Sequence, residues 1–104
     1  MNLLFICSRN QWRSPTAEAI FKNHPTYKAR SAGTENSARI KISQKLLDWA
    51  DLVFVMEKKH KQRLEQNFSP ASEIIILEIE DDYKFRDPEL IDSLKTALSS
   101  YIEL

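Results

Sequence analysis

The chain has 104 residues, 42% of them apolar and 29% charged, the balance of an ordinary globular protein with room for one domain and not two. Fifteen basic residues against fifteen acidic ones leave no net charge, which argues against a general nucleic-acid binder. No apolar run is long enough to span a bilayer, no basic stretch precedes the short N-terminal apolar run as in a secretory signal, and a lone cysteine suits a reducing compartment. Residues 1–104 are therefore expected to form one cytoplasmic domain without a membrane partner.

Leu3-Leu4-Phe5-Ile6 is apolar without alternation, which predicts a strand buried on both faces and running directly into Cys7. Ser14-Pro15-Thr16-Ala17-Glu18 reads as a helix start, with Ser14 as N-cap, Pro15 at the first helical position and acid in the first turn. That helix should run to about Asn23, before Pro25. Tyr27 to Ala32 is a second strand, closed by Gly33, the only glycine. Ile40 to Trp49 places Ile42, Leu46 and Trp49 at helical spacing. Leu52 to Met56 is another buried strand, Glu57 to Gln66 a polar helix anchored by Leu64, and Glu73 to Ile79 a fourth strand. Asp87-Pro88-Glu89 opens a final helix with a stripe of Leu90, Ile91, Leu94, Leu98 and Ile102.

Strands alternating with helices argue for an α/β fold with a parallel sheet covered on both faces. Ligands bind beyond the carboxyl ends of such strands, which picks out the stretches after Cys7, Ser31 and Asp81. The first is Cys7-Ser8-Arg9-Asn10-Gln11-Trp12-Arg13-Ser14, a Cys-x5-Arg-Ser loop between a strand and a helix. Amides of Ser8, Arg9, Asn10, Gln11 and Trp12 and the helix N-terminus would form an anion site there. Arg13 adds a planar, always-charged fork suited to a phosphoryl group. Cys7 at the base of this positive field would be held as thiolate and could attack phosphorus, with Ser14 donating to the sulfur. The plain alternative is a buried strand-end cysteine, a surface arginine and a helix-capping serine; the strand before and the helix after are the context the chemistry needs.

Leu3 to Ala19 resembles the N-terminus of low-molecular-weight protein tyrosine phosphatases. Ser31-Ala32-Gly33-Thr34 resembles that family's stretch after the second strand, and Ala50 to Glu57 with His60 its third strand and following helix. The resemblance implies a flavodoxin-like three-layer sandwich, a four-stranded parallel sheet in the order 2-1-3-4, and two-step hydrolysis of a phosphorylated protein or small aryl phosphate. It carries the nucleophile onto Cys7, the phosphate-binding guanidinium onto Arg13, the thiolate-stabilising hydroxyl onto Ser14 and a loop-shaping role onto Asn10. The sequence itself offers no sign of a metal or organic cofactor, and none is expected.

A general acid is also needed. In the family this chain resembles, the acid stands in an Asp-Pro-Tyr loop after the fourth strand. Matching that loop's distance from the strand and its tyrosine (Tyr83) implies Asp81; Asp82 could steer or replace it, and Asp87 keeps the Asp-Pro pair but also reads as a helix start. The family usually has glycine where this chain has Arg9, so either the loop avoids glycine-type angles or Arg9 is strained. Trp12 replaces the family's second loop cysteine, Glu35 to Lys41 carries no aromatic, and no proline stands at Asp82; Trp12 or Tyr83 is left to supply a wall. His24 and His60 read as surface residues with no metal-ligand spacing to Cys7. Two other functions fit the loop: a phosphopeptide-binding module without turnover, and arsenate reduction with an external thiol.

Overall fold

The computed structural model describes residues 1–104. The elements are β1 (Asn2–Cys7), α1 (Arg13–Ile20), β2 (Lys28–Gly33), α2 (Gln44–Trp49), β3 (Leu52–Val55), α3 (Lys58–Asn67), β4 (Ile74–Ile76) and α4 (Pro88–Leu98). All strand pairs are parallel, in the order β2-β1-β3-β4. This is the flavodoxin-like α/β arrangement expected from the sequence.

The central strand explains the layering. Successive side chains of a strand point to opposite faces. Leu3, Phe5 and Cys7 therefore join Ala17, Phe21, Leu90, Leu94 and Leu98 in one core, under α1 and α4. Leu4 and Ile6 join Leu47 and Leu64 in the other, under α2 and α3. Phe5 stacks between Phe21 and Phe54, with ring centroids 5.7 and 5.4 Å away. Leu3, Leu4, Phe5 and Ile6 are fully buried, as their unbroken apolar run required.

Several element boundaries differ from expectation. Helix α1 begins at Arg13, so Ser14 lies inside it; the N-cap position is Trp12, and Ser14 makes no cap. The helix has no acid in its first turn and ends at Ile20, because the chain then turns through Asn23 with φ 65°. Only Gln44–Trp49 of the expected 40–49 helix is helical, capped by the Ser43 hydroxyl accepting from the Leu46 amide. Ile42 is buried, but in an extended segment: Lys41 bridges to Gly33, and the Ile42 amide donates to the Gly33 carbonyl. The fourth strand is cut to Ile74–Ile76. The final helix starts as expected, with the Asp87 carboxylate accepting from the Glu89 amide at 2.9 Å.

Candidate active site

The loop from Ser8 to Trp12 leaves the carboxyl end of the central strand and enters α1. The amides of Ser8, Arg9, Asn10, Gln11 and Trp12 donate to no acceptor in the protein. Five successive free N–H groups at a helix N-terminus are an anion cradle. The loop is held from outside instead. The Thr34, Glu35 and Arg39 amides donate to the carbonyls of Cys7, Ser8 and Arg9, and the Arg39 Nε donates to the Asn10 carbonyl at 3.1 Å. These bonds draw residues 33–39 tightly against it. A Cβ on Gly33 would sit 2.6 Å from the Ser8 carbonyl oxygen and 2.7 Å from the Ala38 Cβ, so this position excludes any side chain.

The left-handed residue of the loop is Asn10, with φ 56°, and Arg9 is not among the residues of positive φ. Asparagine tolerates that conformation better than most side chains. Arg9 points outward and pairs with Glu35 at 3.2 Å.

Under the loop runs a buried hydrogen-bond chain. Its direction follows from its end. The Glu18 carboxylate can only accept, so the Ser31 hydroxyl donates to it. Ser31 Oγ in turn accepts from Asn10 Nδ2 at 2.9 Å. The second Asn10 Nδ2 hydrogen goes to Ser14 Oγ at 2.8 Å. Ser14 is then left with one hydrogen, and its nearest acceptor is Cys7 Sγ at 3.0 Å; the Ala32 carbonyl is farther, at 3.4 Å. The chain thus turns the Ser14 hydroxyl into a donor aimed at the sulfur. Cys7, Asn10, Ser14 and Ser31 are all buried.

Arg13 is also buried, only 2% exposed. Its Nη1 donates to Glu57 Oε2 at 2.6 Å and to the Ile79 carbonyl at 2.8 Å. Its Nε faces Asp81 Oδ1 at 3.5 Å. Nη2 bonds to nothing in the protein, which leaves that edge of the fork for a ligand. Burial pushes the Glu57 carboxyl up, but the Arg13 hydrogen bond and charge, helped by Lys59 and His60, hold it below its ordinary 4.5. Ser8, Arg9, Gln11, Trp12, Arg13, Glu35, Lys59 and Asp81 line a cleft of about 280 Å³ over the loop.

Among the candidate acids, only Asp81 reaches this cleft. Asp82 is engaged with Glu80: a carboxyl–carboxyl hydrogen bond and the Asp82 charge push Glu80 above its ordinary 4.5. Asp87 caps α4. Trp12 is exposed and lines the cleft, whereas Tyr83 packs on the core.

His60 was expected at the surface and is instead buried, so that expectation is corrected. It sits one turn into α3, and its ring folds back to the helix start. Its Nδ1 accepts from the Glu57 amide at 3.1 Å, which leaves the proton on Nε2 to donate to Ser8 Oγ at 2.9 Å. Burial, then the nearby Arg13 charge, push His60 down to about 4 against the partial opposition of Glu57 and Glu35. His24 is half-buried and accepts from the Thr26 and Tyr27 amides. Neither histidine forms part of a metal-binding cluster.

Two of these residues escaped the sequence reading. Glu57 lies two residues beyond the carboxyl end of β3, so the rule that picked out the ends of the other strands applied to it equally. His60 lies three residues after Glu57, the spacing of a capping box, with imidazole in the reciprocal acceptor's place.

Residues 2–41 match the model of the family described as low molecular weight phosphotyrosine protein phosphatase, and the resemblance drawn from the loop and its flanks is borne out there. No curated protein sequence matches significantly. Among solved structures, the tyrosine phosphatase Wzb from Escherichia coli K30, in complex with phosphate, is similar with a TM-score of 0.75 and 23% identity, covering 96% of this chain and 94% of that one. The YwlE arginine phosphatase from Geobacillus stearothermophilus gives 0.67 at 19% identity, covering 99% and 98%. The low molecular weight protein tyrosine phosphatase SP-PTP from Streptococcus pyogenes gives 0.72 at 15% identity, covering 98% and 93%. At these identities the likeness establishes the shared fold.

Proposed function

We propose that this chain is a phosphatase of the low molecular weight type: a cysteine-dependent phosphomonoester hydrolase acting on phosphorylated protein, with phosphotyrosine or a similar aryl phosphate as substrate. The observation that carries the reading is the contact of Ser14 Oγ with Cys7 Sγ at 3.0 Å, beneath a loop of five unpartnered amides. No helix is long and apolar enough to cross a membrane. The unpaired Cys7 suits a reducing cytoplasm, where the 104 residues would act as one domain.

The phosphoryl oxygens bind the amides of Ser8 to Trp12 and the free Nη2 edge of Arg13. The Cys7 thiolate attacks phosphorus; the P–S bond forms as the P–O ester bond breaks. The leaving oxygen takes a proton from Asp81. Water then gives a proton back to Asp81 and attacks phosphorus, the P–S bond breaks, and Ser14 stabilises the returning thiolate. Preorganised donors around the equatorial oxygens supply most of the acceleration. Glu57 and the Ile79 carbonyl keep the guanidinium in place, and His60 keeps Ser8 in place, each acting through its partner.

The test is turnover of p-nitrophenyl phosphate without added metal, beside Cys7→Ser and Asp81→Asn. Turnover that disappears with Cys7→Ser supports the reading. Clean, folded wild-type protein that binds phosphate without hydrolysis would make it a phosphopeptide-binding module, and arsenate-dependent oxidation of an added thiol would make it a reductase. Because similar folds include both tyrosine and arginine phosphatases, phosphotyrosine and phosphoarginine peptides belong in the same assay.

A further inference from the structure

A second cavity, larger than the cleft over the loop, lies beside it. It is an open groove of about 840 Å³ along the outer side of α1, walled by the turn after that helix, the start of the edge strand β2 and the tip of the acid loop. Gln11 lines both the groove and the catalytic cleft, so the two are adjacent.

Its charge is strongly one-sided. Lys22, Lys28, Arg39 and Arg86 line it, against the single carboxylate of Glu18. None of these four cations forms a salt bridge, although the chain carries as many acids as bases. Glu18 is already engaged by the Ser31 hydroxyl. The only large apolar side chain left exposed in the groove is Phe85, whose ring carries the Arg86 guanidinium 5.6 Å from its centroid. A neutral protein that gathers four unpaired cations beside its catalytic cleft presents a surface complementary to negative charge.

We infer that this groove binds an acidic polypeptide segment flanking the phosphorylated residue of the substrate, so that it selects phosphoproteins by the carboxylates next to the phosphate. The inference rests on the phosphatase reading for its setting, but the groove can be tested apart from it. Lys22 and Lys28 are exposed and touch no residue of the catalytic loop by hydrogen bond or ion pair. They are the positions to reverse.

The experiment compares two phosphopeptides, one flanked by Asp and Glu and one by Asn and Gln, with wild type and Lys22→Glu/Lys28→Glu. Wild type should favour the acidic peptide by about tenfold in kcat/KM, carried by KM and shrinking between low and high salt. The double variant should lose that preference while hydrolysing p-nitrophenyl phosphate and the neutral peptide as wild type does. Equal use of both peptides by wild type, or a preference that survives the double substitution, overturns the proposal. Equilibrium binding of the unphosphorylated acidic peptide gives a readout that does not need turnover. It should be weakened in the double variant even if catalysis proved absent, and lack of any such binding to wild type would count against the groove alone.

Discussion

The two loops that would carry the chemistry are built in opposite ways. The loop from Cys7 to Ser14 lies on a buried floor where nearly every side-chain polar atom is spoken for; Asn10 Oδ1 is the one buried atom without a partner. The loop from Glu78 to Asp87 is mostly exposed, takes positive φ at Glu78 and Arg86, and touches the site through Asp81 and the Ile79 carbonyl. The difference separates two tasks. Stabilising charge on a phosphoryl group needs donors that are fixed before it arrives, because reorganising them would cost what they supply. Passing a proton to a leaving group needs a carboxyl that can adjust to many substrates. Substitutions in the floor should therefore change rate and stability together, and substitutions in the acid loop should change rate alone.

The largest effect is expected at Arg13. Arg13→Ala should lower kcat/KM by about 10³-fold, as loss of a charge-stabilising donor does. It should also lower Tm, since Glu57 loses its buried partner. Arg13→Lys should recover little, because a single ammonium nitrogen lacks the planar fork that reaches Glu57 and the Ile79 carbonyl from one edge and a phosphoryl oxygen from another.

The floor should also be sensitive to acid. His60 is held at about 4 in the folded protein against 6.5 when free, so the unfolded chain binds the extra proton between those values. Stability from this group is fully present above pH 6.5 and falls as pH drops toward 4, by on the order of 3 kcal/mol. Glu57, held below 4.5, weakens the fold in the same direction at still lower pH. Denaturation at several pH values should show this slope, and His60→Asn should flatten it between pH 4 and 6.5 while lowering stability at pH 7.

Next in size is Asp81→Asn. It should cost about 10²-fold in kcat on phosphotyrosine and less on p-nitrophenyl phosphate, whose leaving group needs less protonation. Tm should hold, because an exposed substitution of this kind shifts stability by about 0.5 kcal/mol or less. A large fall in Tm would erase the contrast between the loops. Asn10→Ala removes the bond that aims Ser14 and the bond that ties Asn10 to Ser31, and costs about tenfold in kcat, with stability down by about 1–3 kcal/mol. Unchanged activity there would mean that Ser14 needs no orienting.

How much of this was legible depends on what each residue has to do. The strand ending at Cys7 could be read because four successive apolar residues fit only an element buried on both faces. The start of α4 could be read because Asp-Pro-Glu satisfies a helix end by local bonds alone. Ser14 was misread as a cap because a serine that caps and a serine that donates to sulfur have the same local sequence; only the Glu18–Ser31–Asn10 chain, assembled across two elements, separates the two roles. His60 was hidden by the lysines around it on a polar helix; only its capping-box spacing from Glu57 marked it as turning inward. Arg9 drew attention as a replacement for glycine, but the backbone places its left-handed residue one position later. The groove beside α1 left no mark at all, because its cations come from four separate stretches of chain.

The most direct test of the account is to trap the intermediate. Rapid acid quench of the wild-type protein with phosphotyrosine peptide, followed by mass analysis, should find phosphate bound covalently at Cys7, at higher occupancy in Asp81→Asn if its second step slows more than its first, and absent in Cys7→Ala. Turnover with no phosphate on Cys7, or full turnover by Cys7→Ala, would contradict it.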